Sequence, residues 1–98
     1  MAVVRVHSYT VDPADLPRLI AMRADLIAGI HVQYPGLAET RLTRLENGTF
    51  TDTWRWESFE HMAAALPAAS SPEAQAVMRL TSDATAINGE IIDERTSR

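Results

Sequence analysis

The sequence predicts an α+β domain of the ferredoxin-like type, in which the order βαββαβ builds a four-stranded antiparallel sheet with helices on one face. Three observations predict this order. The chain opens on a β-branched segment, continues into a long amphipathic segment with helical periodicity, and then carries Asn47-Gly48 between two segments with strand character. Its 98 residues fit one compact domain. We expect that domain over residues 1–95 and a C-terminal tail over 96–98.

The first strand is expected over residues 3–11, which are mainly β-branched or aromatic. Two starts are open for the helix that follows. Either Asp12 is the N-cap with Pro13 in the first position, or Asp15 is the N-cap with Pro17 in the first turn.

The Asn47-Gly48 pair predicts a two-residue hairpin turn between strands over residues 37–46 and 49–57. A two-residue turn fixes the register of the two strands. In that register the cross-strand pairs are Leu45–Phe50, Thr43–Asp52, Arg41–Trp54 and Glu39–Trp56. Both tryptophans and Asp52 then share one face of the hairpin.

Two short helices are expected after the hairpin. Ser58 can cap the first, and the second begins at Ser71-Pro72 and runs to about residue 80. Ser70 and Glu73 offer an alternative start for the second helix, as a capping box. The region between them is too short to separate two domains.

The last strand is predicted over residues 86–95. In the βαββαβ order, strands 1 and 3 are the central neighbours, which places His7 beside Asp52, Trp54 and Trp56. A base and two indoles would then meet under the helices.

A second copy of the chain is the expected cover for the helix-free face of the sheet. That face is predicted to expose Val4, Val6, Leu42 and Ile92, and a chain this short gains from a core shared between subunits. The sequence therefore predicts a homodimer.

Composition and motifs exclude several classes of function. A net charge of -4 argues against nucleic-acid binding, and the absence of cysteine excludes disulfides and thiolate metal sites. No histidine spacing suits a metal, and no glycine-rich phosphate loop is present. With no apolar span or targeting segment, we expect a cytoplasmic protein that binds no metal, cofactor or membrane.

Four sequence segments resemble the antibiotic biosynthesis monooxygenase superfamily of small dimeric α+β-barrel proteins. They are Pro-Gly-Leu at 35–37, Glu-Asn-Gly-Thr at 46–49, Trp-Glu-Ser at 56–58 and Ser-Pro at 71–72. The resemblance spans nearly the whole chain. It implies the fold more specifically than the reaction, because that superfamily includes oxygenases of polyketide aromatics, quinol oxygenases and haem-degrading enzymes.

The resemblance also assigns individual positions. Trp56 matches the tryptophan that lines the pocket in the family's oxygenases, whereas Asp52 stands where they carry an asparagine and Met62 where they carry a tyrosine. Compared with the haem-degrading branch, this chain has His7 at the position of an asparagine on the first strand, and Met78 near the position of the iron-ligating histidine. Methionine is a weak replacement for that histidine.

The polar candidates each have two interpretations from the residues. His7 can take a phenolic or enolic proton near neutral pH, or it is a hydrogen-bonded histidine of the sheet. Asp52 can act as a base if it is dry, or pair with Arg41 as a structural group. Trp54 can stack with Arg41. Arg23 can extend towards solvent from the helix edge, or hold an anionic phenolate.

The resemblance implies a homodimeric, cofactor-independent monooxygenase of a small electron-rich aromatic, with dioxygen as second substrate. The expected catalytic residues are His7 and Asp52, and the expected substrate-binding residues are Trp56, Trp54, Arg23, Met62 and Met78. The alternatives are a non-catalytic protein that binds a small hydrophobic metabolite and, third, a haem-binding or haem-degrading protein.

Overall fold

The computed structural model describes residues 1–97 and shows a four-stranded antiparallel sheet with helices packed on one face. The elements are β1 (Val3–Val11), α1 (Leu16–Gln33), β2 (Leu37–Arg44), β3 (Phe50–Trp56), α2 (Phe59–Ala65), α3 (Pro72–Met78) and β4 (Thr81–Glu90). The strand order is β2-β3-β1-β4, so β1 and β3 are the central pair. The predicted ferredoxin-like α+β fold is confirmed. No helix within residues 1–97 has the length and apolar character needed to cross a membrane.

Both predicted starts contribute to the first helical segment. Asp12 caps a 3₁₀ turn over Pro13–Asp15, where its carboxylate accepts a hydrogen bond from the Ala14 N–H at 2.9 Å. Helix α1 begins at the next residue, with Asp15 in the N-cap position but without a side-chain hydrogen bond. Pro13 therefore lies in the 3₁₀ turn, and Pro17 lies in the first turn of α1.

The predicted hairpin register is wrong by one residue. Asp52 lies opposite Leu42, Trp54 lies opposite Thr40, and Trp56 lies opposite Leu37 after a bulge in β2. Neither Arg41 nor Glu39 faces a tryptophan, because the shift moves both to the other face of the sheet. The two tryptophans and Asp52 nevertheless share a face, as expected from their spacing in β3.

The loop, which has three residues rather than two, causes this shift. Leu45 and Thr49 close it, with the Leu45 N–H donating to the Thr49 carbonyl at 2.8 Å. Only Gly48 has a positive φ, of 88°, in this loop, whereas the predicted type I′ turn needs positive φ at both central residues. The Asn47 side chain instead accepts the Thr49 N–H at 2.9 Å, which is typical of an Asx turn.

Strand β4 begins and ends five residues earlier than the predicted strand at 86–95. Only a two-residue turn separates it from α3, and the Thr81 hydroxyl donates to the Met78 carbonyl at 2.7 Å at this junction. Nearly all of β4 is exposed, so its sequence lacks the alternation by which a half-buried strand is recognised. An edge strand also tolerates the interior Asn88-Gly89 pair.

Serines start the two short helices. Ser58 caps α2 through the His61 N–H at 3.2 Å, and Ser71 caps α3 through the Ala74 N–H at 3.1 Å. The alternative capping box at Ser70 is absent, because Ser71 occupies the N-cap position of α3.

Two buried clusters hold the helices on the sheet. One contains Trp56 and Met62, and the other contains Tyr9, Phe50 and a fully buried Leu19. The candidate site lies between them.

Gly36 provides close packing between the end of α1 and α2. A methyl group at this position would overlap the imidazole of His61. The glycine is therefore required here for space, because even the smallest side chain would meet a ring.

The helix-free face differs in detail from the prediction. It carries Val4, Val6 and Ile87, of which Ile87 is 71% exposed. The prediction of Leu42 on this face is wrong. In the observed register Leu42 lies on the helix-covered face and packs against the cluster that contains Tyr9. Ile92 lies beyond the end of β4 and is not part of the sheet.

We expect a homodimer that buries this face. Sedimentation at micromolar concentration should give twice the mass of the 10.8 kDa chain. Ile87→Glu should shift the equilibrium towards monomer, because it places a charge among apolar side chains. Ile92→Glu is the matched control outside the sheet. A stable wild-type monomer would contradict the predicted interface.

Replacing Gly48 by valine is expected to lower the free energy of unfolding by about 1–3 kcal/mol, because a β-branched residue resists positive φ. Urea denaturation measures this change. Gly29→Val is the control, since Gly29 lies in α1 with open space around its Cα and valine favours a helix over glycine. An unchanged urea midpoint for Gly48→Val would contradict the observed loop geometry.

Candidate functional site

A cavity of about 120 Å³ lies between the sheet and the three helices. The helices line it mainly with apolar side chains, and the strands supply most of its polar and aromatic ones. The polar and aromatic residues are Arg5, His7, Tyr9, Arg23, Asp52, Trp54 and Trp56. A dry cavity of ~150 Å³ holds one benzene molecule, so this cavity encloses about one aromatic ring of a ligand, and further rings would extend through its open side.

Asp52 is the centre of a hydrogen-bond network on the cavity wall. Its carboxylate accepts two hydrogen bonds from Arg23, at 3.0 Å from Nε and 2.8 Å from Nη2. The Tyr9 hydroxyl donates at 2.8 Å and the Trp54 indole at 2.9 Å. Each carboxylate oxygen thus accepts two hydrogen bonds. The network joins β1, β3 and α1.

This network replaces the expected pairing of Asp52 with Arg41. The register shift places Arg41 on the opposite face, where it pairs with the exposed Glu39. The network also explains why Arg23, a charged residue of α1, lies among apolar side chains of the cavity wall. Arg23 neither extends into solvent nor remains available as an isolated cation, because Asp52 holds it in a bidentate pair.

The four donors of the network occupy both oxygens of the Asp52 carboxylate. The ionised carboxylate is the form that can accept all four hydrogen bonds, and Arg23 balances its charge. Burial, and then the charge of Asp52, raise the pKa of Tyr9 well above its ordinary value. Tyr9 therefore remains a neutral phenol that donates to Asp52.

His7 lies next to this network but outside it. It is the β1 partner of Asp52 in the sheet, and its ring meets the Trp54 ring edge-on, with centroids 6.5 Å apart. Burial lowers the pKa of His7 below 6.5, the positive charge of Arg5 lowers it further, and the charge of Asp52 opposes both. The imidazole is therefore neutral at pH 7 and can accept a proton.

The lowered pKa of His7 predicts a loss of stability in mild acid. The unfolded chain binds this proton at a higher pH than the folded chain does, so protonation favours unfolding as the pH falls through 6.5. The loss levels off below the pKa of the folded state. Urea midpoints between pH 7.5 and 5 should therefore fall less in His7→Gln than in the wild type.

His31→Gln is the control for that pH dependence, because His31 lies exposed in the last turn of α1. This variant should keep the wild-type decline between pH 7.5 and 5. Equal slopes for His7→Gln and the wild type would contradict the unfavourable burial of the His7 charge.

The remaining candidate residues occupy different parts of the cavity wall. Trp56 and Met62 are 4% and 2% exposed and pack together in the core beneath it. Trp54 is half-buried and holds its indole N–H on Asp52. Met78 is 41% exposed at the rim.

Arg5 and Tyr9 are wall residues that the sequence reasoning did not select. Both alternate with His7 along β1, so they share its face of the sheet. The one sequence feature that could have identified them is this spacing of two residues from His7 along the strand. The other two histidines lie outside the cavity; His61 is hydrogen-bonded through Nδ1 to the Ser58 hydroxyl at 2.7 Å.

Solved structures share this fold over nearly its whole length. A variant of SnoaB, a cofactor-independent oxygenase from Streptomyces nogalater, superimposes with a TM-score of 0.74 at 18% identity, covering 95% of each chain. MhuD with two manganese protoporphyrin IX molecules per active site gives 0.70 at 20% identity, covering 97% of this chain and 99% of that one.

A third neighbour comes from Caulobacter crescentus and is described as a candidate antibiotic biosynthesis monooxygenase. Its TM-score is 0.72 at 15% identity, over 94% of this chain and 91% of that one. No family model and no curated protein matches the sequence. The resemblance to antibiotic biosynthesis monooxygenases is confirmed at the level of the fold, and the reaction has to be argued from the site.

Proposed function

We propose that the protein is a cofactor-independent monooxygenase of a small electron-rich aromatic, such as a phenol, anthrone or quinol. The observation that carries the proposal is His7, a neutral imidazole on the wall of an apolar cavity that encloses about one ring of a ligand. The fold shared with SnoaB, a cofactor-independent oxygenase, supports the same reaction class.

The proposed reaction begins with proton transfer from the phenolic or enolic group of the substrate to His7. The substrate anion then gives one electron to dioxygen, and the two radicals combine to form a peroxide. The protonated His7 returns its proton to the peroxide, and the outer oxygen then leaves as water with that proton and the hydrogen of the same carbon. The inner oxygen remains as the carbonyl oxygen of the product quinone. The substrate supplies all the electrons.

The other wall residues orient the ring and exclude water. Trp56 is fixed by its packing on Met62, so the part of its indole that borders the cavity is a rigid surface for an aromatic ring. The Asp52 network fixes Trp54 through its indole N–H, and Trp54 in turn meets the His7 ring. These contacts hold the base and the ring surface in place before substrate binds.

Metal-free protein under air tests the proposal. Anthrone or dihydroxynaphthalene should consume dioxygen faster with protein than in buffer, and the rate should rise as a group with a pKa below 6.5 loses its proton. Buffer controls in parallel correct for autoxidation. Binding without acceleration over buffer would contradict the oxygenase proposal.

A small-molecule binding protein is the second candidate. Met62 favours this candidate. Its buried thioether stands where the oxygenases that the sequence resembles carry a tyrosine, and a thioether can exchange no proton with a ligand. A panel of phenols and quinols that bind without turnover would support this candidate.

The residues fit haem poorly. Met78, near the position of the axial histidine in the haem-degrading enzymes that the sequence resembles, lies at the exposed rim. An absorbance titration with haem distinguishes this third interpretation.

A further inference from the structure

Arg5 is a cavity residue that the proposed reaction does not use. Its β1 position lies between Trp54 on β3 and Asn88 on β4. One guanidinium N–H, on Nη1, donates to the Asn88 side-chain oxygen at 2.8 Å. Within residues 1–97, no carboxylate forms an ion pair with it.

The Asp52 network accounts for most of the other polar groups on the cavity wall. Tyr9, Arg23 and the Trp54 indole all donate to Asp52, and the charges of Arg23 and Asp52 balance. Among the ionisable side chains that line the described cavity, His7 and Arg5 remain for a ligand.

These two groups have different chemistry. His7 is neutral, so the unbalanced charge of the cavity is the guanidinium of Arg5, although the chain as a whole carries a net charge of -4. Apolar surroundings strengthen the attraction of such a cation for an anion. Asn88 holds one N–H of the five that a guanidinium carries.

We propose that Arg5 makes the cavity selective for aromatic ligands with an anionic oxygen, which its guanidinium binds at the β4 side of the cavity. The inference rests on the proposed function, because it names the class of aromatic that the site accepts. The oxygen belongs either to a carboxylate or to an ionised phenol, both of which accept hydrogen bonds from a guanidinium.

Calorimetric titration at pH 8 tests the proposal with two matched ligand pairs. 2-Naphthoate is compared with 2-naphthamide, and 4-nitrophenolate with 4-nitroanisole. At least one anion should bind the wild type about 10- to 100-fold more tightly than its neutral partner, as charge-assisted hydrogen bonds provide. The pair that shows the preference identifies the source of the anionic oxygen.

Three variants assign that preference to Arg5. Arg5→Gln should abolish it by weakening the anion and leaving the neutral ligand unchanged, and Arg5→Lys should retain most of it. Arg18→Gln removes the same charge from the exposed outer side of α1 and should change nothing. Circular dichroism and urea midpoints confirm that each variant is folded.

The proposal is overturned if neither anion is preferred by the wild type, if Arg5→Gln keeps the preference, or if Arg18→Gln loses it equally. These results are independent of turnover. Arg5-dependent binding without dioxygen consumption would reject the oxygenase and retain the anion site, whereas turnover with equal affinity for charged and neutral ligands would do the reverse.

Discussion

Replacing His7 by alanine is expected to lower kcat by about 10²–10⁴-fold, the usual contribution of a general base. The alanine removes the imidazole that takes the substrate proton, while the Asp52 network next to it stays intact. Dioxygen consumption with anthrone, corrected for autoxidation, measures the loss. Trp56→Ala should chiefly raise KM, because it removes a surface on which the ring packs.

His31→Ala is the matched control for the loss of a histidine, since His31 lies at the end of α1 away from the cavity. It should oxidise at the wild-type rate. If His7→Ala also oxidises normally, the base is Asp52 or the substrate ionises through its own acidity, and the role proposed for His7 is wrong.

Replacing Asp52 by alanine is expected to lower the free energy of unfolding by about 3–5 kcal/mol, because it leaves Arg23 as a buried charge without its partner. The Tyr9 and Trp54 donors also lose their acceptor. For a domain whose total stability is about 5–15 kcal/mol, this change is a large fraction. Urea denaturation followed by circular dichroism measures it.

Two further variants separate the charge effect from the loss of volume. Arg23→Met combined with Asp52→Leu removes both charges and should recover the part of the stability that is lost through the unpaired charge of Arg23. Glu39→Ala breaks the exposed pair with Arg41 and should cost little. If Asp52→Ala were as mild as Glu39→Ala, the network would not stabilise the fold.

The sheet topology and the grouping of the site residues could be predicted because both follow from parity and chain order. Residues of alternate parity on β1 and β3 share a face, and the βαββαβ order makes those strands neighbours. His7 and Asp52 therefore come together whatever the detailed geometry of the hairpin.

The partner of Asp52 could not be predicted in the same way. The choice between Arg41 and Arg23 depended on a shift of one residue at Asn47-Gly48, and this dipeptide is compatible with loops of two or three residues. The hydrogen bond from the Thr49 backbone N–H to the Asn47 side chain favours the longer loop, and that contact exists only once the loop has closed.

The close contact between Gly36 and His61 constrains the order in which this sequence can change during divergence. Alanine at position 36 would lie 2.6 Å from the Cβ of His61 as well as against its ring, so glycine at position 61 or a shift of α2 has to come first. The reverse order passes through an overpacked intermediate of lower stability. The residues at these two positions, which are 25 apart in the sequence, should therefore vary together among related sequences, with position 61 changing first.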